Sequence, residues 1–343
     1  MRDHRFISCL GGLLSLFLAA QAQAAPAGRI VFLSDFGTID DAVSQCKAAI
    51  FREYPEAQIV DMTHQIPPDD VRLASFLLAN AAKVWPAGTV FLAVVDPGVG
   101  SSRRPIVVET KSGHFFVGPD NGIFTLPIKS LGLRRAVALT APADVTTTFH
   151  GRDVFAPAAG RLLKSPEALA SMGAEVRDPF VQDWEAPKKA SGTASGRVLH
   201  VEKPFGNVWT DIGPETLQET EILPGSTVQV RIGGKDLSVL LVRTFSDVPK
   251  GRALAYFNSR GLFSLALNMD DFAGKFGVES GNPVSVAPSE TALVDVRALA
   301  GDRVSFDIKY ATPKNFTGMK VYPSERCYLR RDAAASLLRA AEL

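Results

Sequence analysis

From Arg29 to about Pro179, short apolar runs alternate with amphipathic segments, and this alternation constrains the fold more than any other feature of the chain. Ile30 to Leu33 (IVFL) reads as a strand. Asp40 to Tyr54 reads as a helix, with Val43, Cys46, Ala49 and Ile50 recurring at helical spacing. Gln58 to Met62 predicts a second strand, Val71 to Trp85 a long apolar helix, and Thr89 to Val95 a third strand. Further strands are expected at Ile106 to Glu109 and His114 to Val117, and a helix at Asp153 to Leu163. Parallel neighbours need a crossover connection, which a helix supplies. The pattern therefore predicts an α/β domain with a mostly parallel sheet between helices.

After Val181 the pattern changes. The segment to about Gly196 turns small and polar (WEAPKKASGTASG), the composition of a linker. Short β-like runs follow at Arg197 to Val201, Thr227 to Ile232, Leu237 to Arg243, Ala253 to Phe257 and Leu262 to Asn268, separated by Gly-Gly, Pro-Gly and Pro-Lys-Gly turns. Strands at this spacing predict an all-β, barrel-like C-terminal domain, either a small antiparallel barrel or a sandwich. The expected organisation is an α/β domain over 29–180, a β-barrel over 193–288 and a C-terminal extension over 289–343. With 343 residues, 46% of them hydrophobic, the chain can supply two cores. A formal net charge of +1 offers no electrostatic reason to expect nucleic acid as a partner.

The first 24 residues read as a secretory signal peptide. A basic start (MRDHR) precedes the apolar run Phe6 to Ala20, and Ala22-Gln23-Ala24 forms a small-residue cleavage site. The apolar run is shorter than the roughly 20 residues of a membrane span. With a retained membrane anchor as the alternative, cleavage after Ala24 predicts a periplasmic or secreted protein with no membrane attachment. It leaves only Cys46 and Cys327, too few for a disulfide framework. Cys46 is expected as a buried free thiol.

Two acids stand at strand ends, Asp35 after the first strand and Asp96 after the third. Ligands of open α/β sheets bind beyond the carboxyl ends of the strands, so both acids are site candidates. The alternative for Asp35 is that it caps a helix or turn. Asp96 opens VDPGVGSSRR (Val95 to Arg104), which has neither phosphate-loop nor dinucleotide-turn spacing. Arg104 in this segment reads as a solvated surface charge, and His64 and His200 as structural residues. No HExxH motif or Cys/His cluster appears, so no metal and no cofactor is expected.

Other segments stand out with it: SDFGTIDD (Ser34 to Asp41), DMTHQIPPDD (Asp61 to Asp70), GPDNG (Gly118 to Gly122), TFHGRDVFAP (Thr148 to Pro157), PFGNVWTDI (Pro204 to Ile212) and FNSRGLFSLALN (Phe257 to Asn268). Together they resemble the S-adenosylmethionine hydrolases (hydroxide adenosyltransferases), relatives of the fluorinases and chlorinases. The resemblance runs in order from about Arg29 to Pro288. It implies the same two-domain fold, and a homotrimer whose site lies between one subunit's first domain and a neighbour's second. It also implies that Asp96, Arg103 and His150 are catalytic. Halogenating members carry an aromatic hydroxyl in place of Asp96 and a Tyr-Ser pair in place of His150-Gly151, so the chain resembles the water-using branch. The implied reaction is hydrolysis of S-adenosyl-L-methionine to adenosine and L-methionine by water attacking the ribose 5′ carbon.

The resemblance also implies a substrate-binding set. Asp35 matches the acid that holds the ribose hydroxyls. Asp40, Asn207, Ser259 and Arg260 match positions that handle the methionine part, with Asn258 beside them. Phe149, Phe205 and Phe245 fall where rings pack around purine and ribose. Glu202 replaces the family's aspartate, lengthening by one methylene the group that meets the substrate's ammonium. A reading of another class is a non-catalytic, exported adenosyl- or nucleoside-binding protein. The tail, Asp307 to Ala340, resembles the opening segment of D-alanyl-D-alanine dipeptidases, so a truncated fusion with such a cell-wall enzyme is a further alternative. Its last run reads as helical.

Overall fold

The computed structural model describes residues 28–142, 145–218, 220, 222, 225–289, 293–296, 305 and 327–340. The signal peptide expected at 1–24 and most of the 289–343 extension therefore lie outside the described residues. Of the extension, the strands Leu293–Asp295 and Tyr328–Arg330 pair antiparallel, and Arg331–Ala340 is a helix.

The first domain is built on seven strands: β1 (Ile30–Ser34), β2 (Ile59–Thr63), β3 (Val90–Val94), β4 (Pro105–Thr110), β5 (Phe115–Pro119), β6 (Leu133–Leu139) and β7 (Gly173–Glu175), in the order β2-β1-β3-β5-β4-β6-β7. Helices α1 (Ala42–Glu53), α2 (Val71–Ala81), α3 (Thr125–Leu131) and α4 (Ala156–Lys164) cover it. The runs of β1, β3 and β5 are buried on both faces, as sheet-centre strands with helices on each side require. Alternation divides their side chains between two cores. Ile30, Phe32, Val90 and Leu92 face α1 and α4. Val31, Leu33, Phe91 and Ala93 face α2.

The pairings β1–β2, β1–β3 and β3–β5 are parallel, as the alternation predicts. β4 instead runs antiparallel between β5 and β6. The connection from Thr110 to Phe115 is too short for a crossover and turns the chain straight back. Helix α2 ends at Ala81 rather than near Trp85. The chain continues in turns to Trp85, whose N donates to the Ala81 carbonyl at 3.1 Å, before Pro86, which has no N–H to carry the ladder on. Helix α3 escapes the sequence pattern because Pro127 looks like a breaker. In the first turn its missing N–H has no helical partner to lose.

Close approach at Gly118 holds β5 against β3. A Cβ there would lie 2.2 Å from the Ala93 carbonyl oxygen and 3.0 Å from Phe124 Cζ. Gly118→Ala is expected to destabilise the protein by about 1–3 kcal/mol. The urea midpoint would fall at an unchanged m-value; an unaltered midpoint would show that β5 can shift to make room.

The second domain is a closed barrel. Strands β9 (Thr193–Glu202), β10 (Asn207–Thr210), β11 (Thr227–Ile232), β12 (Lys235–Leu241), β13 (Ala253–Phe257), β14 (Phe263–Leu267) and β15 (Pro283–Pro288) form a ring, with β8 (Lys188–Ala190) added to β9. The polar stretch read as linker is therefore strand from Lys188 onward, with a turn at Ser191-Gly192. Inward residues such as Val228, Val230, Leu265 and Val286 form the barrel core. Arg72 on α2 ties the domains together by donating to Asp211 at 2.7 Å.

Candidate active site

β3 delivers Asp96 to the carboxyl end of the sheet, and the turn after it brings the chain back. Val99 N donates to the Asp96 carbonyl at 3.2 Å and Ser101 N to the Gly98 carbonyl at 3.0 Å. Gly100 closes the turn with φ +78°, a conformation that L side chains rarely adopt. Arg103 then folds over Gly98, where a Cβ would stand 3.3 Å from Arg103 Cγ. Its Nε donates to Asp96 Oδ1 at 2.9 Å, and its Nη2 donates to Asp96 Oδ2. The pair is nearly buried, with side chains 8% and 6% exposed, and the guanidinium lies 5.2 Å from the Phe155 ring centroid.

His150 arrives from a separate segment. It caps a π-helical turn, Gly151–Phe155, that runs into α4; single π turns recur at functional sites. Gly151 leaves room for Phe36 and Phe149, whose rings meet edge to face at 5.8 Å. His150 Nδ1 lies 2.9 Å from Arg103 Nη2. A guanidinium can only donate, so Nδ1 accepts and the ring proton sits on Nε2. Burial, then the adjacent Arg103 charge, holds the His150 pKa below the ordinary imidazole value, against the pull of Asp96 and Asp153. Asp96, Arg103 and His150 thus form one cluster, with a neutral imidazole at its end. Arg103 Nη1 is buried and has no acceptor among the described residues, a donor left over for a bound species.

Asp35 follows β1 on the same sheet edge and does not cap a helix. Its Oδ2 accepts from Asp69 N at 3.2 Å, and burial raises its pKa. Ser34 and His64 hold the loop there: Ser34 Oγ lies 2.8 Å from His64 Nδ1, and Gly37 N donates to the His64 carbonyl at 2.7 Å. Asp40 is exposed, and its Oδ1 accepts from Ala42 N at the start of α1. Phe149 packs beside the cluster and under Arg152, with 5.0 Å from the guanidinium to the ring centroid.

The remaining candidates gather elsewhere, at the barrel mouth. Glu202, Phe205, Asn207, Phe245, Asn258, Ser259 and Arg260 line one cavity of about 740 Å³. Asn207 faces Glu202 across the β9–β10 hairpin and donates to its Oε2 at 2.8 Å. Phe205, at the tip of that hairpin, is 64% exposed. Asn258 Oδ1 accepts from Arg260 N and Leu262 N, while its Nδ2 is buried without a partner among the described residues. Trp209, within the PFGNVWTDI segment, and Tyr256 also line this cavity, though neither is among the expected site residues. The signal available was strand periodicity, since Trp209 stands two residues from Asn207 and Tyr256 two from Asn258. Arg260 lies 4.4 Å from the Trp209 ring centroid. Burial, then the Glu202 charge, pushes the Tyr256 phenol up to about 12. None of Asp35, Asp40, Asp96, Arg103, Phe149 and His150 lines this cavity.

Arg104 is not a free surface charge: it pairs with Asp120 at 2.6 Å and with Asp178 at 3.2 Å. Cys46 is a buried free thiol, pushed up to about 12 chiefly by burial. His200 packs edge to face on Trp209 with centroids 4.9 Å apart. Among the described residues, no group of three or more His, Cys, Asp or Glu is placed to hold a metal, and no helix is long and apolar enough to cross a membrane.

The chain matches the SAM hydroxide adenosyltransferase N-terminal domain over residues 30–173 and the C-terminal domain over residues 196–285. It is 38% identical to the (R)-S-adenosyl-L-methionine hydrolase of Thermus thermophilus over 268 residues, covering 74% of this chain and 98% of that protein. It is 29% identical to a fluorinase of Actinoplanes sp. over 291 residues, covering 75% of this chain and 96% of the fluorinase. Among solved structures, an uncharacterized conserved protein from Thermotoga maritima superposes with a TM-score of 0.71 at 34% identity, covering 75% of this chain and 99% of that one. With its two domains matched in order over most of its length, this chain belongs to the SAM hydroxide adenosyltransferase family.

Proposed function

We propose that the protein hydrolyses S-adenosyl-L-methionine to adenosine and L-methionine, with Asp96, Arg103 and His150 activating the water. The observation that carries this reading is the buried Asp96–Arg103–His150 cluster. The water oxygen bonds to the ribose 5′ carbon as the carbon–sulfur bond breaks. The bonding pair leaves on sulfur, which becomes the neutral thioether of methionine. The water must shed a proton as it attacks. His150 Nδ1 is committed to Arg103, so this ring offers the water only its Nε2 proton. Each Asp96 oxygen accepts one Arg103 hydrogen and retains a second lone pair. Asp96 is thus the proton acceptor, His150 the donor that orients the water, and Arg103 the group that fixes both. The sulfonium already carries a neutral leaving group, the methionine thioether, so the step uses no cofactor.

The substrate is held from two sides. Asp35 takes the ribose hydroxyls, which a carboxylate accepts as a pair, with Phe149 near the sugar. The barrel mouth takes the methionine part and the base through Glu202, Asn207, Asn258, Ser259, Arg260, Phe205 and Phe245. Asp40, on the α1 loop, closes on the methionine end. A homotrimer that sets one subunit's strand ends against a neighbour's barrel mouth completes the site, and the separate placement of the two residue sets supports this arrangement. Export with cleavage after Ala24 places the reaction outside the cytoplasm, which N-terminal sequencing of the protein from a periplasmic fraction tests.

Incubation of purified protein with S-adenosyl-L-methionine in ¹⁸O-water tests the reaction. Adenosine and methionine should appear in equal amounts with the label in the adenosine 5′ hydroxyl; no adenosine, or unlabelled adenosine, would sink the proposal. The pH dependence follows from the His150 tautomer. Protonating Nδ1 breaks its bond from Arg103 and sets two cations side by side. Activity should therefore be lost as pH falls through the His150 pKa, which lies below the roughly 6.5 of a free imidazole. A kcat–pH profile with its acid midpoint above that value would contradict the assignment.

A further inference from the structure

The Asp96 and Arg103 limbs of the turn are gripped from outside by two consecutive residues. The antiparallel β4–β5 ladder pairs Pro105 with Pro119, so the next residues, Arg104 and Asp120, meet just beyond it. Arg104 Nε donates to Asp120 Oδ2 at 2.7 Å, and Asp120 N donates to the Arg104 carbonyl at 2.8 Å. Asp120 Oδ1 accepts from Phe180 N at 2.7 Å, and its side chain is only 3% exposed. Arg104 reaches on to Asp178, donating to its carbonyl at 2.7 Å. The neighbouring Asn121 holds the other limb: its Nδ2 donates to the Val95 carbonyl at 2.9 Å, while its Oδ1 accepts from Ile123 N at 3.2 Å.

Val95 is the residue before Asp96, and Arg104 is the residue after Arg103. We infer that Asp120 and Asn121 are positioning residues that set the separation of Asp96 from Arg103, and through Arg103 the tautomer of His150. Their hydrogen bonds run to Arg104, Val95, Ile123 and Phe180 and not to Asp96, Arg103 or His150. The physical need is plain. An Asp–Arg pair on a six-residue turn rich in Gly and Ser has no rigidity of its own, and a reacting geometry loosened by about 1 Å loses roughly a hundredfold in rate. β5, buried at the sheet centre, is the rigid element from which both limbs are pinned. Asp178 and Phe180 extend the clamp to the segment leading toward the barrel.

This inference rests on the water-activating role of the cluster, so its test includes a measurement that needs no turnover. Asp120→Asn keeps the side-chain shape and removes the charge that holds Arg104. Arg104→Gln removes the same ion pair from its more exposed side. Asn121→Asp keeps the acceptor for Ile123 N and loses the donor to Val95. Each is assayed for kcat and KM, for thermal melting, and for the His150 ring titration by NMR without substrate. Arg103, Asp96 and Asp153 are the charged groups facing His150, and Asp153 is held separately by Arg152.

Loss of the clamp should lower kcat by about ten- to a hundredfold with KM within roughly twofold. It should also raise the His150 midpoint, because Arg103 no longer stays beside Nδ1. If the native protein forms no adenosine, the proposed reaction fails, yet the His150 midpoint still decides the clamp. Folded Arg104→Gln and Asn121→Asp proteins with unchanged midpoint and kcat would overturn it, whatever happens to their melting temperatures. If Asp120→Asn does not fold, those two variants carry the test alone.

Discussion

Asp96→Asn is expected to lower kcat for adenosine release by about a hundred- to ten-thousandfold, the range for removing a general base, with KM little changed. The substitution preserves volume but removes the charge and the lone pairs that receive the water's proton. It also presents an amide to Arg103, whose Nε and Nη2 both bond the native carboxylate. His150→Ala should cost less, because the imidazole supplies an orienting Nε2–H and not a base. The order of the two losses tests the assignment: a larger loss in His150→Ala would transfer the proton-accepting role to the imidazole. Arg103→Met should be the least stable of the three. Removing one partner of a buried ion pair strands the other charge, at a cost of about 3–5 kcal/mol. Its inactivity alone is therefore less informative than a comparison of kcat at equal folded fraction.

Mixing two inactive variants should restore activity. Asp96→Asn disables the strand-end half of the site, and Asn207→Ala/Arg260→Ala disables the barrel-mouth half. In a closed ring where each site joins halves from different subunits, random assortment of equal amounts leaves about a quarter of the sites with both halves intact. Co-refolding the two proteins should thus take hydrolysis from near background to about a quarter of the native value in the whole mixture, and to about a third in mixed trimers isolated through separate tags. Mixed oligomers that remain inactive would mean that each chain completes its own site. The reason to expect rescue is spatial. The barrel cavity is lined by Glu202, Asn207, Asn258 and Arg260, whereas Asp35, Asp96, Arg103 and His150 do not border it.

Much of this was legible in the residues themselves. The buried runs at β1, β3 and β5 have the continuous apolar composition that only a covered sheet tolerates. The short strands after Lys188 alternate with turn residues as a barrel requires. The family motifs named Asp96, Arg103 and His150 before any distance was known. Other features were not legible, because they depend on who faces whom. β4 runs antiparallel because a short turn returns it. Arg104 reads as a surface charge until the β4–β5 ladder sets it opposite Asp120.

The sequence by itself determined the two-domain organisation and the residue types of the cluster, since hydrophobic period and local motif are properties of neighbours along the chain. The tertiary structure alone decided that His150 is the neutral Nε2–H tautomer, that the Asp96–Arg103 pair is pinned from Asp120 and Asn121, and that the barrel-mouth residues share a cavity apart from the strand ends. Those outcomes depend on hydrogen-bond direction, burial and register between segments distant in sequence. No local pattern encodes them, because each arises only once separate strands and loops are brought side by side.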